Sequence, residues 1–385
     1  MEIFHHRKYK RSINAEPKTK YLIVGAGLAG CVLARHLEAR GEPFTLVGNP
    51  ARAGAADVAA GIINPVTGRW MTKSWRIDEF APEAREFYRK LEGETARHLY
   101  HPIEITRFCL NSEDVKRAKR RLRNPRYAGV LESFREPGTE GEIYQDDHGS
   151  LRILGGAWVD LPAVLEALRV RFFQNGRLKK TDFEYGRLSA GKDGWEYDGQ
   201  GFDKVVFCEG AELSNNPWFK YLPLCLAKGE TLLCESPDFQ DPGKLLHREK
   251  WLLPHANGRF RLGATYDDKD PLPDPTEEGR RQLIAAFQNL NREVPKLSVI
   301  KHLAGHRPGT ADARPLMGEH PREKGLFIFN GLGSKGASLA PTLSRELCEF
   351  LIEGKALPPE TDIGRFGGNR SSINNRPPNS SGSSF

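Results

Sequence analysis

The sequence predicts an α/β fold with a Rossmann-like dinucleotide-binding unit near its start, on three observations made in one short stretch. Residues 21–30 read YLIVGAGLAG, a brief apolar strand running into Gly25-x-Gly27-x-x-Gly30. Leu28, Ala29, Val32, Leu33 and Leu37 then recur at helical spacing until Gly41 ends the run. A second apolar segment, 43–47 (PFTLV), follows directly. In such a unit the first glycine allows a tight turn and the second lets the backbone approach a pyrophosphate. The third lets the helix pack closely on the strand, with the helix N-terminus facing negative charge. Gly25, Ala26, Gly27, Leu28, Ala29 and Gly30 are therefore the expected binding loop.

One part of this pattern is missing. The second strand should end in an acid that holds the adenosine ribose, but Gly48-Asn49 stands there. Asn49 or Arg52 is read either as a replacement contact or as an ordinary turn residue, and a carboxylate restored at position 48 is expected to tighten binding.

The rest of the chain follows in order. Residues 59–69 (AAGIINPVTGR) form a small-residue loop that lets a planar group approach the backbone. An amphipathic helix is predicted over 78–92, and another over 161–172 with Asp160 as its N-cap and Pro162 in its first turn. Residues 204–207 (KVVF) read as a buried strand leading to Gly210, and 251–254 and 260–265 as further strands. A helix over 277–290 precedes the strand 326–329 and a second glycine loop, Gly331-Leu332-Gly333-Ser334-Lys335-Gly336. Leu339, Leu343, Leu347 and Leu351 mark one stripe of the helix that follows.

At 385 residues the chain exceeds what one core fills, so two packed domains are expected. No run approaches the ~20 apolar residues of a membrane span, and the N-terminus lacks an apolar signal segment, so a cytoplasmic protein without membrane partners is expected. The 6 cysteines are scattered without CxxC spacing, as reduced thiols rather than a disulfide or zinc framework. His302 and His306, read in a strand-to-turn context ending at Pro308, are not expected to hold a metal. The net charge of +7 is uneven: residues 115–127 (VKRAKRRLRNPRY) carry no acid at all. That run is either a nucleic-acid footprint or a solvated helix face, with Tyr127 its only aromatic. Residues 1–19 form a basic extension, and 365–385 have the composition of a disordered tail.

The motifs resemble, in sequence order, the FAD-dependent D-amino acid oxidase family, which includes glycine oxidase, sarcosine oxidase and the oxidase half of a bifunctional tRNA wobble-uridine modification enzyme. The matching segments are the first glycine loop, Ala59-Ala60-Gly61, Gly156-x-x-Val159-Asp160, Cys208-Glu209-Gly210, Gly263-Ala264-Thr265, the run from Gly305 through Arg307 and Asp312 to Pro315, and the second glycine loop. The resemblance implies a discontinuous Rossmann-like FAD-binding domain over 20–80, 150–225 and 300–360. An α+β substrate domain is implied over 81–149 and 226–299. Ala60, Gly61, Gly210 and Gly331 to Gly336 then join the first loop around FAD. Some relatives tether the flavin through a cysteine before the second loop; none occurs between Ile300 and Phe327, so noncovalent FAD is expected.

The implied chemistry is oxidation of the C–N bond of a small amine or amino acid by hydride transfer to flavin N5, with the electrons passed to oxygen or another acceptor. Arg307 is the implied clamp on a substrate carboxylate, since its planar fork fits that group bidentately. Lys335 either adds positive charge beside the reduced flavin or points to solvent. His306 is read either as a proton acceptor beside Arg307 or as a structural histidine, Arg314 as structural, and Lys73 and Trp75 as pocket-lining or packing residues. The alternatives are a tRNA-modifying oxidase acting on a carboxymethylaminomethyl group and an inactive flavin-binding module.

Overall fold

The computed structural model describes residues 20–293 and 296–366. The basic extension 1–19 and residues 367–385 of the tail lie outside the described residues. Arg365 and Phe366 do not belong to a tail: they close a short 3-10 turn, Ile363–Phe366, where Arg365 Nε pairs with Asp312 Oδ2 at 2.8 Å.

Two large sheets organise the chain. The six-stranded sheet has the order Leu178–Lys179, Phe44–Val47, Tyr21–Val24, Lys204–Phe207, Leu326–Asn330, Leu316–Glu319. All its pairings are parallel except the last. Its central strands YLIV, KVVF and LFIFN are almost wholly buried because both faces are covered, which is why they read as unbroken apolar runs. On one face lie the helices Leu28–Ala39, Leu161–Gln174 and Gly336–Glu353, the last with Leu339, Leu343, Leu347 and Leu351 in the core. On the other lies a three-stranded meander, Leu188–Gly191, Gly194–Tyr197 and Gln200–Phe202, with Trp195, Tyr197 and Phe202 packed inward.

The second sheet has eight strands in the order Ser298–Thr310, Leu224–Glu235, Arg259–Gly263, Trp251–Pro254, Lys244–His247, Glu104–Phe108, Ser150–Ile153, Leu131–Arg135. The helix Glu277–Leu290, with the bounds its periodicity predicts, packs Leu283, Phe287 and Leu290 against it. The long edge strand Ser298–Thr310 pairs antiparallel with Leu224–Glu235 from Thr310↔Leu224 to Ser298↔Glu235. It runs through His302, His306 and Pro308 without turning. Pro308 is tolerated because the strand is at the sheet edge. Residues 150–153 and 298–310 thus pair within this sheet, although the resemblance groups most of them with the nucleotide-binding segments.

Candidate active site

The three glycines of the first loop do three different jobs. Gly25 has φ +107°, and a Cβ there would lie 2.3 Å from the Cys208 carbonyl oxygen. A Cβ on Gly30 would lie 1.9 Å from the Gly25 oxygen, so Gly30 supports the loop from behind and does not border the cavity. Gly27 has open space beside it, borders the cavity and caps the helix without any side-chain bond, leaving the N–H groups of the first turn to an incoming anion. Arg169, which sequence reasoning missed, braces this loop: its Nε donates to the Ala26 oxygen at 2.8 Å and its Nη1 pairs with Asp57 Oδ1 at 2.8 Å.

The structure gives a reason for the missing ribose acid. A Cβ on Gly48 would lie 2.5 Å from the Ala26 nitrogen and 2.7 Å from its Cβ, so the first loop occupies the space a side chain needs. The expectation that a carboxylate at 48 would tighten binding is therefore reversed, because it would push the loop out of place. Asn49 Oδ1 accepts from Ala51 N at 3.1 Å and Arg52 pairs with Asp182 at 3.1 Å, while both residues still border the cavity. A buried carboxylate does stand on the adjoining strand end: Glu209 accepts from Tyr185 Oη at 2.6 Å and Asn216 Nδ2 at 2.7 Å. Burial, aided by Glu212, raises its pKa from 4.5 to about 7 against those two bonds.

The second glycine loop turns through Gly331 at φ +77° and Gly333 at φ +56°. Asn330 locks it, accepting from Gly331 N at 2.7 Å and donating to the Gly210 oxygen at 3.0 Å, so the ends of two strands are tied together. Leu332, Gly333, Ser334, Lys335 and Gly336 border the cavity with Ala60, Gly61 and Gly210, whereas Gly331 is buried behind it. Lys335 is turned inward: its Nζ bonds Thr67 Oγ1 at 3.1 Å and Ser74 Oγ at 3.3 Å. Burial, and then the charge of Arg314, lowers its pKa. Lys73 and Trp75 do not border the cavity; Lys73 pairs with Asp78 at 2.6 Å and Trp75 Nε1 reaches Glu360 at 3.3 Å. Arg314 stacks over Trp75 at 4.7 Å instead.

Across the cavity stands the eight-stranded sheet. Arg307 Nη2 donates to the Thr265 oxygen at 3.1 Å and Nη1 to the Lys228 oxygen at 3.3 Å, and among the described residues no carboxylate pairs with it. Gly229 makes room for it, since a Cβ there would fall 2.0 Å from Nη2. Burial lowers the Arg307 pKa. His306 and His302 are engaged separately, at 3.0 Å from the Asp270 oxygen and 2.7 Å from Glu230 Oε2. One register row crosses six strands, Leu303, Thr231, Gly263, Trp251, His247 and Arg107. Opposed residues share a sheet face, and Thr231, Trp251, His247 and Arg107 all border the cavity. The residues 104–108 (EITRF) carried a sign of this: Arg107 alternates with Ile105 on a face otherwise apolar.

These walls enclose about 820 Å³, lined at one end by glycine loops and at the other by the sheet. The uncapped Gly27 turn, the braced loop and the tied second loop suit an extended dinucleotide whose phosphates lie on backbone N–H groups and whose ring system lies near Lys335. A family model described as FAD dependent oxidoreductase matches residues 20–350. The chain belongs to that family. It is an FAD-dependent oxidoreductase, and the fold is shared with solved FAD enzymes. Glycine oxidase from Geobacillus kaustophilus superposes with a TM-score of 0.75 at 20% identity, over 92% of this chain and 99% of that one. Iminodiacetate oxidase from Chelativorans sp. BNC1 gives 0.74 at 21% identity, over 89% and 99%. In sequence, the chain is 25% identical to glycine oxidase of Pseudomonas aeruginosa over 86% of its own length and 94% of that protein. It is 26% identical to the bifunctional tRNA 5-methylaminomethyl-2-thiouridine biosynthesis protein of Marinobacter nauticus over 87% of this chain, but spans only 56% of that protein. No helix among the described residues is long and apolar enough to cross a membrane.

The basic run forms the helix Ser112–Leu122 and the turn Pro125–Tyr127. Part of its charge is matched, Lys116 by Glu113 at 2.7 Å and Lys119 by Glu136 at 3.3 Å, while Arg120 and Arg123 are exposed. Tyr127 is buried, its Oη on the Met71 oxygen at 3.0 Å, and offers no stacking surface. The exposed aromatic beside this helix is Trp70, 54% accessible, with Arg69 and Arg117 over its ring at 4.6 and 4.8 Å.

Proposed function

We propose that this enzyme oxidises the C–N bond of a small amine that carries a carboxylate. The observation that carries the reading is Arg307, a cation bordering the FAD cavity whose partners are two backbone carbonyls. A buried guanidinium held by carbonyls keeps its charge for an incoming anion, and a bidentate carboxylate contact fixes the α-carbon in one orientation. Bound FAD supplies the acceptor for the hydride leaving that carbon. The chain's own residues orient and shield. Arg307 holds the acid, Trp251 and Tyr266 wall the site beside it, and Lys335 lends positive charge where negative charge builds on the reduced cofactor. FAD is held without a covalent bond, so acid precipitation should release all of it.

The test is anaerobic flavin reduction by matched pairs such as sarcosine against dimethylamine and glycine against methylamine. The acids should reduce the flavin and the plain amines should not. Arg307→Ala should lower the efficiency of the acids about 10- to 100-fold with FAD retained, and Arg307→Lys should recover little. Wild-type efficiency in Arg307→Ala would remove the clamp from this reading.

A second reading, a carboxymethylaminomethyl group carried on tRNA, uses the same clamp and draws on Trp70 among arginines near Gly68 at the cavity edge. It requires salt-sensitive tRNA binding that weakens when Trp70, Arg120 and Arg123 are replaced together. Binding of tRNA no tighter than that of heparin leaves the small amine as substrate.

A further inference from the structure

Arg107 is the least explained charge among the described residues. It is 8% accessible, borders the cavity, and among the described residues its guanidinium forms no hydrogen bond, ion pair or ring contact. The carboxylate whose charge acts on it, Asp114, is already taken by Arg117 at 2.5 Å and by Leu110 N at 3.2 Å. Burial lowers the Arg107 pKa, as it does for a cation that has lost water without gaining a partner. Its neighbour in the register row, His247, has a buried Nδ1 that is also unpartnered, and burial followed by Arg107 and Lys250 drives its pKa down to about 3, so the ring is neutral. Lys250, pushed down by burial and by Arg307, brings a third cation to the same region. An uncompensated buried charge is costly to a fold, so a site that keeps one is built for an anion that arrives from outside.

The phosphates of FAD do not meet this need, because the glycine loops and Arg169 stand on the six-stranded sheet whereas Arg107 projects from the eight-stranded sheet opposite. We propose that Arg107 binds a second carboxylate of the substrate, so that the preferred substrate is an amine with two acidic groups. This rests on the reading of Arg307 as the clamp for the first carboxylate. The two arginines lie on opposite sides of Trp251 on one sheet face, Arg307 on the edge strand and Arg107 on the sixth. A dicarboxylate spans that face, with its reacting C–N bond between the anchors and Trp251 beneath it. His247, neutral and unpaired at Nδ1, stands beside the second acid as a hydrogen-bond partner for a substrate group.

The test has two arms on the FAD-loaded enzyme. In the first, flavin reduction is followed anaerobically with sarcosine, iminodiacetate, and N-carboxymethyl derivatives of β-alanine and 4-aminobutyrate, which differ in the presence and reach of the second acid. At least one diacid should exceed sarcosine in efficiency by about 10- to 100-fold, and Arg107→Gln should erase that gain, so that the diacid-to-sarcosine ratio within the variant falls to about 1. In the second arm, calorimetry measures binding of malonate, succinate and glutarate against acetate and propionate, which needs no turnover. One diacid should bind at least ten times tighter than the monoacids, and only in the presence of Arg107. Arg107→Met, close in length and uncharged, serves where the glutamine variant fails to retain FAD. Equal handling of monoacids and diacids by the wild type in both arms, or a diacid preference that survives in Arg107→Gln, overturns the inference. Reduction by sarcosine with no gain from a second acid refutes only the Arg107 assignment, whereas equal reduction by acids and plain amines refutes the Arg307 reading.

Discussion

The nucleotide end and the substrate end of the same cavity are built on opposite plans. At the nucleotide end, Gly25, Gly27 and Gly30 sit in one turn, Gly331 to Gly336 in another, and the working groups are backbone N–H groups and the absence of side chains. At the substrate end the working groups are side chains: Trp251, His247 and Arg107 come from three strands paired side by side, and Arg307 comes from the edge strand on the far side of Leu224–Glu235 and Arg259–Gly263. A backbone site tolerates little added volume. A side-chain site tolerates substitution but changes its preference, so the two ends should fail differently when altered.

The largest effect is expected at the nucleotide end. Gly25→Ala combines a left-handed backbone with a Cβ 2.3 Å from the Cys208 oxygen. It should cost about 1–3 kcal/mol or more, and weaken FAD binding by about 10- to 100-fold in flavin fluorescence titrations of the apoprotein. Gly48→Asp should also weaken FAD, the clash with Ala26 outweighing the gained ribose contact. Tighter FAD in Gly48→Asp would show that the loop can retreat and that the backbone end is more plastic than the packing implies.

A smaller effect tests the boundary between the two ends. Glu209 has its pKa raised from 4.5 to about 7, so between those values the folded chain holds a proton that the unfolded chain has released. Stability should therefore fall as pH rises from about 4.5 to 7, by roughly 1–3 kcal/mol, and be flat in this respect above that window. In denaturant titrations, Glu209→Gln should gain on the wild type progressively across the window. Parallel stability curves for the two proteins would mean that Glu209 is ionised in the fold and compensated by the bonds from Tyr185 and Asn216.

The smallest effect expected is at Lys335, where a side chain from a glycine loop acts on the chemistry. Lys335→Met should lower the two-electron potential of the flavin by about 30 mV, equivalent to ~1.4 kcal/mol, and weaken the sulfite adduct. Because burial and Arg314 lower the pKa of Lys335, the wild-type adduct should weaken at a lower pH than an exposed lysine would produce, and the variant should lose that step. An unchanged potential would assign Lys335 to holding Thr67 and Ser74 in place.

The sequence by itself determined the parts whose physics is local. Strand, glycine turn and helix in succession specify the first loop, apolar runs specify buried parallel strands, and Asp160 before a leucine-rich period specifies a capped helix; each depends on neighbours a few residues apart. The order of motifs was enough to indicate the family and to single out Arg307. Tertiary structure decided what depends on distant partners. Whether Gly48 was a lost contact or a packing necessity depended on Ala26, and whether Lys335 faced solvent depended on Thr67 and Ser74. The basic run showed Tyr127 as its only aromatic because Trp70 meets it only in the fold. For Arg107 the only sign was its shared strand face with Ile105, and an arginine in a short strand reads as a surface residue until pairing places it beside His247 and burial removes its water. A charge acquires its meaning from what surrounds it, and that is decided by strand register and packing rather than by spacing along the chain.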